Sequence, residues 1–280
     1  MHPIYQNIKQ TLKGSYSESE AASLAKLLLI EVLGFSTLEL FGGKDKQVSE
    51  KERDVLNEML GRLMDNEPIQ YILGKEYFCG MTFEVNRNVL IPRPETQELV
   101  EWIVEDYKEV PHCRILDIGT GSGCIAISLA KKLPKMSLEA WDISEGALEV
   151  AQKNAERNQV AVDFCLQNVL EADVSSPSYE VIISNPPYIT EKEKNDMEAN
   201  VLEWEPHTAL FVPDTDPLLF YRKIAQLGIK ALISGGALYF EINRAYGQET
   251  IHMLQDLGYR QIELKKDMFG NERMIKAIKQ

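Results

Sequence analysis

From residue 113 onward the chain alternates short apolar runs with amphipathic stretches. This alternation restricts the fold more than any other feature. Cys113 to Ile118 reads as a strand and Ile125 to Leu133 as a helix; Leu138 to Trp141 is a strand and Glu145 to Asn158 a helix. Phe164 to Leu166 and Val181 to Ser184 are strands, Leu218 to Ile233 a helix, Ala237 to Ile242 a strand and Gln248 to Leu257 a helix. Arg260 to Lys265 and Arg273 to Ile278 close the chain as an antiparallel pair around Gly270-Asn271. Repeated strand–helix units predict an α/β fold, a mostly parallel sheet with helices on both faces.

The first 70 or so residues differ, being helical in pattern throughout. Ser17 and Glu20 have capping-box spacing ahead of Leu24, Leu27, Leu28 and Val32, and Ser49 and Glu52 repeat it ahead of Val55, Leu56, Met59, Leu60 and Leu63. Gly42-Gly43 and Pro68 punctuate these segments. We read residues 1–75 as a small helical bundle whose apolar stripes form its own core. Residues 76–92 read as a linker with a β-hairpin, strand-like Tyr77-Phe78 and Met81 to Val85 flanking Gly80. A helix begins near Pro94, proline being suited to a first turn and Glu95 to the helix dipole. Residues 93–280 form the second domain.

Two motifs fall at the carboxyl ends of predicted strands, where ligands bind in sheets of this kind. Asp117-Ile118-Gly119-Thr120-Gly121-Ser122-Gly123 lies where the first strand gives way to a helix. Its glycines permit a tight turn and a close approach of the backbone to a ligand. The spacing is G-x-G-x-G, not the dinucleotide G-x-G-x-x-G. Asp142 ends the next strand, where an acidic side chain can accept both hydroxyls of a ribose; helix capping is the competing role, for which Ser144 is also placed. Asn168, followed by Val169, ends the third strand and either binds an adenine amino group or simply terminates the strand.

Asn185-Pro186-Pro187-Tyr188 follows the fourth strand. The prolines restrict the backbone and supply carbonyls without competing N–H donors. The Asn185 side-chain oxygen and the Pro186 carbonyl can take the two hydrogens of a planar nitrogen, and Tyr188 offers a flat face. A Pro-rich turn has the same composition, and the tetrapeptide alone does not separate an amide from adenine. Across the switch point of such a sheet this pocket and the glycine loop open into one crevice. Methyl transfer from S-adenosylmethionine fits that pairing, because attack in line on a sulfonium methyl chiefly needs two reactants positioned.

The net charge of −13 argues against a broad phosphate-binding surface. Cys79, Cys113, Cys124 and Cys165 are scattered without CxxC pairing, and the four histidines are equally dispersed. We expect a reducing compartment and no metal site. No apolar run reaches the length of a membrane helix and no signal peptide is visible, so we expect a cytoplasmic protein without a membrane partner.

Taken together, these motifs resemble the class I S-adenosylmethionine-dependent methyltransferases. More closely, the chain resembles the protein-glutamine N-methyltransferases that modify peptide chain release factors (the HemK/PrmC family). The likeness runs along nearly all of it: Pro68 to Gly74, Leu90-Ile91-Pro92-Arg93-Pro94-Glu95-Thr96, Asp117 to Gly123, Asp142, Ser184 to Ile189, and Glu205-Pro206 with Ala209-Leu210. It implies a Rossmann-like, mostly parallel seven-stranded sheet with an antiparallel C-terminal strand, preceded by the helical bundle.

The resemblance also implies site roles. Asp117, Gly119, Thr120, Gly121, Ser122, Gly123, Asp142, Asn168, Val169 and Asn185 would hold S-adenosylmethionine. Asn185, Pro186 and Tyr188 would be catalytic, and with Pro187 and Arg93 would bind the substrate amide, the Gln of a Gly-Gly-Gln motif. Arg93 has salt bridging as its other reading. The bundle would hold the rest of the release factor, and the enzyme would act as a monomer without direct nucleic-acid contact. Gln97, Asn168 and Asn243 depart from the family pattern, where glutamate, aspartate and glycine are common. An adenine N6-methyltransferase of DNA or RNA and a non-catalytic module binding the release factor or the ribosome are the competing readings.

Overall fold

The computed structural model describes residues 2–42, 46–174 and 176–280. Gly43, one of the glycines read as punctuation, lies outside the described residues. The chain divides into two compact units: Met1–Gly74 with Ala199–Trp204, and Lys75–Glu198 with Glu205–Gln280.

The first unit is helical: α1 (Pro3–Leu12), α2 (Glu18–Leu33), α3 (Thr37–Phe41), α4 (Glu50–Met64) and α5 (Ile69–Leu73). Ser49 and Glu52 close a full capping box at α4, as do Ser36 and Glu39 at α3, which the sequence reading passed over. At α2 only half of the expected box forms, Ser17 accepting the Glu20 N–H. Leu12, Ala21, Ala25, Leu28, Leu29 and Leu40 are fully buried in its core. Leu24, Leu27 and Val32, expected on that stripe, are half-buried at its border, so the buried face of α2 is turned toward Leu29 and Leu33. Trp204 Nε1 donates to the Asp65 carbonyl at 3.2 Å, which fastens Ala199–Trp204 to this unit.

The second unit opens with a hairpin, β1 (Lys75–Phe78) and β2 (Met81–Glu84). Its two turn residues, Cys79 (φ 50°) and Gly80 (φ 77°), are both left-handed, as a two-residue hairpin turn requires. Then come α6 (Pro94–Tyr107), β3 (Arg114–Ile118), α7 (Cys124–Lys132), β4 (Ser137–Asp142), α8 (Glu145–Asn158), β5 (Asp163–Leu166) and β6 (Tyr179–Ser184). A less regular stretch follows: β7 (Ile189–Thr190), a 3-10 turn, α9 (Ala199–Trp204, grouped with the first unit), α10 (His207–Leu210) and β8 (Phe211–Val212). The chain ends with α11 (Leu219–Ala231), β9 (Leu232–Glu241), α12 (Gly247–Asp256), β10 (Arg260–Lys266) and β11 (Glu272–Ile278).

Seven strands form one sheet in the order β10-β11-β9-β6-β3-β4-β5. The pairs β9–β6, β6–β3, β3–β4 and β4–β5 are parallel, and β11 runs antiparallel to both its neighbours. Side chains alternate across the sheet. Ile115, Val181, Ile183, Ala237 and Tyr239 pack on one face with residues of α6 and α7. Leu116, Ile118, Ile182, Leu238 and Phe240 pack on the other with Tyr221, Ile224 and Leu254 of α11 and α12. A strand covered on both sides must be apolar throughout, as Val181 to Ile183 is.

The structure corrects one boundary. The helix read to Ile233 stops at Ala231, and β9 begins at Leu232, five residues before the expected start. Gly235-Gly236 interrupts the apolar pattern there and hid the first half of the strand.

Candidate active site

The carboxyl ends of β3, β4 and β6 lie side by side, β3 in the middle. This is the position at which successive strands go to opposite sides of the first. Ser184 Oγ donates to the Ile118 carbonyl at 2.6 Å and ties the ends of β6 and β3 together. The segments leaving them, 119–123 and 185–188, are therefore held close to one another.

The glycine loop is fixed from below. Gly119 and Thr120 both donate their N–H to the Trp141 carbonyl, at 2.9 and 3.0 Å. Thr120 Oγ1 donates to Asp117 Oδ2 at 2.7 Å. Asp117 is fully buried, and that burial, with the nearby Asp142 charge adding to it, pushes its carboxyl up to about 7 against the Thr120 hydrogen bond. A Cβ at Gly121 (φ 56°) would meet no atom within 4 Å, whereas one at Gly123 (φ 79°) would come within 2.7 Å of Ile127 Cδ1. The loop thus presents bare backbone on one side and packs tightly on the other.

Asp142 Oδ2 accepts from the Gly121 N–H at 2.8 Å and Oδ1 from the Ser144 N–H at 2.9 Å. Burial raises its carboxyl above the usual range, opposed by those N–H groups. Ser144, not Asp142, caps α8, its Oγ accepting from Ala147 N–H at 3.2 Å. Each Asp142 oxygen therefore keeps lone-pair capacity for a further donor. Asn168 Oδ1 accepts from the Leu170 N–H at 3.0 Å, forming a turn on its own backbone, which leaves its amide NH2 as the group to offer.

A cavity of about 380 Å³ joins these groups. Its wall includes Arg93, Gly119, Thr120, Gly121, Ser122, Asp142, Asn168, Val169, Asn185, Pro186 and Pro187. Its volume lies in the range of small-molecule sites. Apolar residues make up much of the remaining lining, among them Ile143, Leu170, Phe211 and Phe220.

Three expected site residues are not on that wall. Asp117 lies beneath the loop and Gly123 is turned into the packing of α7, so both shape the loop from behind. Tyr188, expected to present its face to the substrate, packs against the core on the α11 side. Its hydroxyl donates to Glu241 Oε1 at 3.3 Å. Burial is the main cause that raises the Tyr188 hydroxyl above its ordinary value, and the Glu241 charge adds to it.

Arg93 forms the salt bridge that was its other reading. It lines the cavity, and its Nη2 donates to Glu205 Oε1 at 2.5 Å. The other oxygen of Glu205 accepts from the Ile91 N–H at 3.2 Å. Two residues given no role in the sequence complete the surroundings of Asn185. Thr96 Oγ1 donates to Glu241 Oε2 at 2.6 Å, and Asn185 Nδ2 donates to Thr96 Oγ1 at 3.4 Å. Glu241 is buried, and that burial raises its carboxyl, opposed by the Thr96 hydroxyl and the Arg273 charge. Asn243 Nδ2 donates to the Tyr188 carbonyl at 3.0 Å and to Glu193 at 3.1 Å, holding the segment after the prolines. The signal for Glu241 was a charged residue closing an apolar strand whose end is buried.

Residues 96–204 match the methyltransferase small domain and residues 4–74 the PrmC N-terminal domain. A release factor glutamine methyltransferase of Bacteroides thetaiotaomicron is 52% identical over 279 residues, 99% of each chain. Its counterpart from Flavobacterium psychrophilum is 45% identical over 96% of this chain and 95% of its own. Among solved structures, a methyltransferase from Pyrococcus furiosus superimposes with a TM-score of 0.52 at 20% identity, over 80% of this chain and 98% of that one. That last likeness concerns the fold alone.

Proposed function

This chain belongs to the family of release factor glutamine methyltransferases, and from that membership we propose that it transfers a methyl group from S-adenosylmethionine to the side-chain amide nitrogen of the Gln in the Gly-Gly-Gln motif of a peptide chain release factor. The observation that carries the reading is the shared cavity. Asp142 and the glycine loop line it together with Asn185 and Pro186.

The residues present suit S-adenosylmethionine. Gly121 leaves open space where a side chain would stand, and Asp142 keeps acceptor capacity on both oxygens for a ribose diol. Ile143, Val169 and Leu170 supply apolar surface for a base, and the Asn168 amide can meet its polar edge. When bound, the donor supplies an electrophilic methyl carried by a sulfonium.

The chain's own residues do the rest. An amide nitrogen is a weak nucleophile because its lone pair is delocalised. The Asn185 side-chain oxygen and the Pro186 carbonyl accept its two hydrogens, which orients the nitrogen and favours the positive charge that grows there as the C–N bond forms. The alkylated nitrogen is acidic and sheds one proton, so a strong base is not required. Pro187 stiffens this segment. Tyr188 supports the segment from behind through Glu241, in place of the stacking role expected of it.

We assign the helical unit to holding the rest of the release factor. Leu38 and Phe41, on neighbouring positions of α3, are exposed apolar side chains on that unit. We further propose action in the cytoplasm as a monomer, with no nucleic-acid partner. Among the described residues no helix is long and apolar enough to cross a membrane.

Incubation with labelled S-adenosylmethionine and a release factor, wild type or Gln-substituted in its tripeptide, tests the proposal. Label is expected in the wild-type factor alone. Equal labelling of both, or label appearing in DNA or RNA at a comparable rate, overturns it.

A further inference from the structure

An asparagine amide has nearly the same shape in its two flipped orientations but opposite hydrogen-bonding character. Turned one way, Asn185 offers the cavity an acceptor oxygen. Turned the other way it offers an NH2, which cannot receive the hydrogens of a substrate amide and opposes donor with donor. Something must choose between them, and shape alone does not.

The contacts behind Asn185 make that choice. Ser184 and Phe240 are partners in the β6–β9 register, so Asn185 and Glu241 leave neighbouring strand ends together. Glu241 is 1% exposed, and both its oxygens hold hydroxyl donors, Thr96 at 2.6 Å and Tyr188 at 3.3 Å. A carboxylate only accepts, so the Thr96 hydrogen is committed to it. Thr96 Oγ1, itself buried, then has only lone pairs left to offer Asn185. The Asn185 Nδ2 faces it at 3.4 Å.

We propose that Thr96 and Glu241 are positioning residues that fix the Asn185 amide with its oxygen toward the cavity, Glu241 acting through the Thr96 hydroxyl. The role matters to catalysis only if Asn185 binds a substrate amide, and so it rests on the function proposed above. The orientation itself does not depend on it.

Single and double variants, read by turnover, cofactor affinity and NMR, test this. Thr96→Val keeps the shape and removes the hydroxyl; Thr96→Ser keeps the hydroxyl. Removing an oriented polar group at a reacting centre costs roughly 10²-fold or more. Loosening one that remains should cost less, so Thr96→Val is expected to lower kcat about tenfold while S-adenosylmethionine affinity, measured by calorimetry, stays within about twofold. Thr96→Ser is expected to restore most of the rate. Glu241→Gln should also lower kcat, and the double variant with Thr96→Val should lose less than the product of the two single losses, since only the part of Glu241 that acts through Tyr188 is left to add. In nitrogen-15 NMR, the side-chain NH2 resonances of Asn185, assigned by their loss in Asn185→Ala, should move in Thr96→Val and stay near the wild-type position in Thr96→Ser.

A Thr96→Val enzyme with wild-type kcat and unmoved Asn185 resonances overturns the inference. So does an equal loss in Thr96→Ser, or multiplying losses in the double variant. Should the wild-type protein transfer no methyl to a release factor, the functional proposal falls. The NMR comparison then decides the orientation alone, moved resonances supporting it and unmoved ones overturning it.

Discussion

Asp142 is hydrogen-bonded through Oδ2 to the backbone N–H of Gly121 at 2.8 Å. The carboxylate that ends β4 therefore holds the glycine loop of β3 in place and faces the same cavity. Loop shape and the proposed ribose contact depend on one side chain.

Asp142→Ala should accordingly weaken S-adenosylmethionine binding through both. Hydrogen bonds to charged groups are each worth about 1.5–3 kcal/mol, so losing the ribose contacts alone should weaken binding by about tenfold or more. Asp142→Asn should fall between, because it keeps one acceptor oxygen but turns a donor toward the second N–H. Calorimetry of cofactor binding, with circular dichroism as the check on folding, measures this. An alanine variant that binds within about threefold of wild type, when tenfold is expected, rules out the assigned role.

Asn185→Ala should behave in the opposite way. The side chain is proposed to meet the substrate amide, so the variant should bind cofactor with little change and lose turnover by on the order of 10²-fold or more. Single-turnover methylation of a release factor at saturating cofactor separates the two effects. Near-normal turnover would refute the role.

The sequence displayed the cavity-lining parts of this site more clearly than the parts that hold them. Gly119 to Gly123, Asp142 and Asn185 stand at strand ends, where residue type and position both carry the signal. All but Gly123 line the cavity. Tyr188 is absent from the cavity wall because its hydroxyl is engaged by the buried Glu241, a contact that the neighbouring prolines do not signal. Thr96 and Glu241 are 145 residues apart, a separation at which no spacing rule operates. Glu205 with Pro206 was visible only as a family likeness, because its meaning lies in Arg93 and Ile91 far upstream. Asn168, Gln97 and Asn243 depart from the family pattern, yet each is satisfied locally. Gln97 Oε1, for example, accepts from the Cys79 N–H at 3.2 Å and steadies the hairpin turn.

The buried Asp117 carboxyl makes stability depend on pH. Its value is 3.8 when exposed and about 7 in the folded protein, so between those limits the native state keeps a proton that the unfolded chain has released. Stability from this group is complete below about pH 4, falls as pH rises toward about 7 and then stays level. Asp117→Asn, which imitates the protonated form in shape, should remove that fall. Thermal unfolding followed from pH 4 to pH 8 in both proteins, without cofactor, measures it, and parallel profiles would assign the pH dependence elsewhere.

Gly121 and Gly123 share a left-handed backbone but differ in what surrounds them. A left-handed conformation costs a non-glycine residue about 1–2 kcal/mol. Gly123→Ala adds to that a clash with Ile127 and a 3.2 Å approach to the Ala151 side chain. It should therefore lower the unfolding temperature more than Gly121→Ala. The methyl of Gly121→Ala projects into open space on the cavity wall, and that variant should show the larger loss of cofactor affinity. Thermal unfolding without cofactor and calorimetry with it give the two rankings, and the same order in both would contradict this division of labour.

Arg93 and Glu205 form an ion pair whose two halves are unequally buried. The Arg93 side chain is 33% exposed and that of Glu205 1%. Removing the arginine leaves a carboxylate shut away from water with the Ile91 N–H as its remaining partner among the described residues, whereas removing the glutamate leaves a guanidinium that can turn to solvent. An uncompensated buried charge costs about 3–5 kcal/mol. Arg93→Ala should approach the lower end of that range, because the Ile91 contact remains. Glu205→Ala should cost about 1–2 kcal/mol, the loss of hydrogen bonds to a charged group that water partly replaces. Arg93→Ala with Glu205→Gln should recover part of the loss, since a neutral amide removes the buried charge. Chemical denaturation of the three variants measures the order. If Glu205→Ala proves the more damaging, the carboxylate's main task is to hold the Ile91 backbone, and the ion pair is secondary to it.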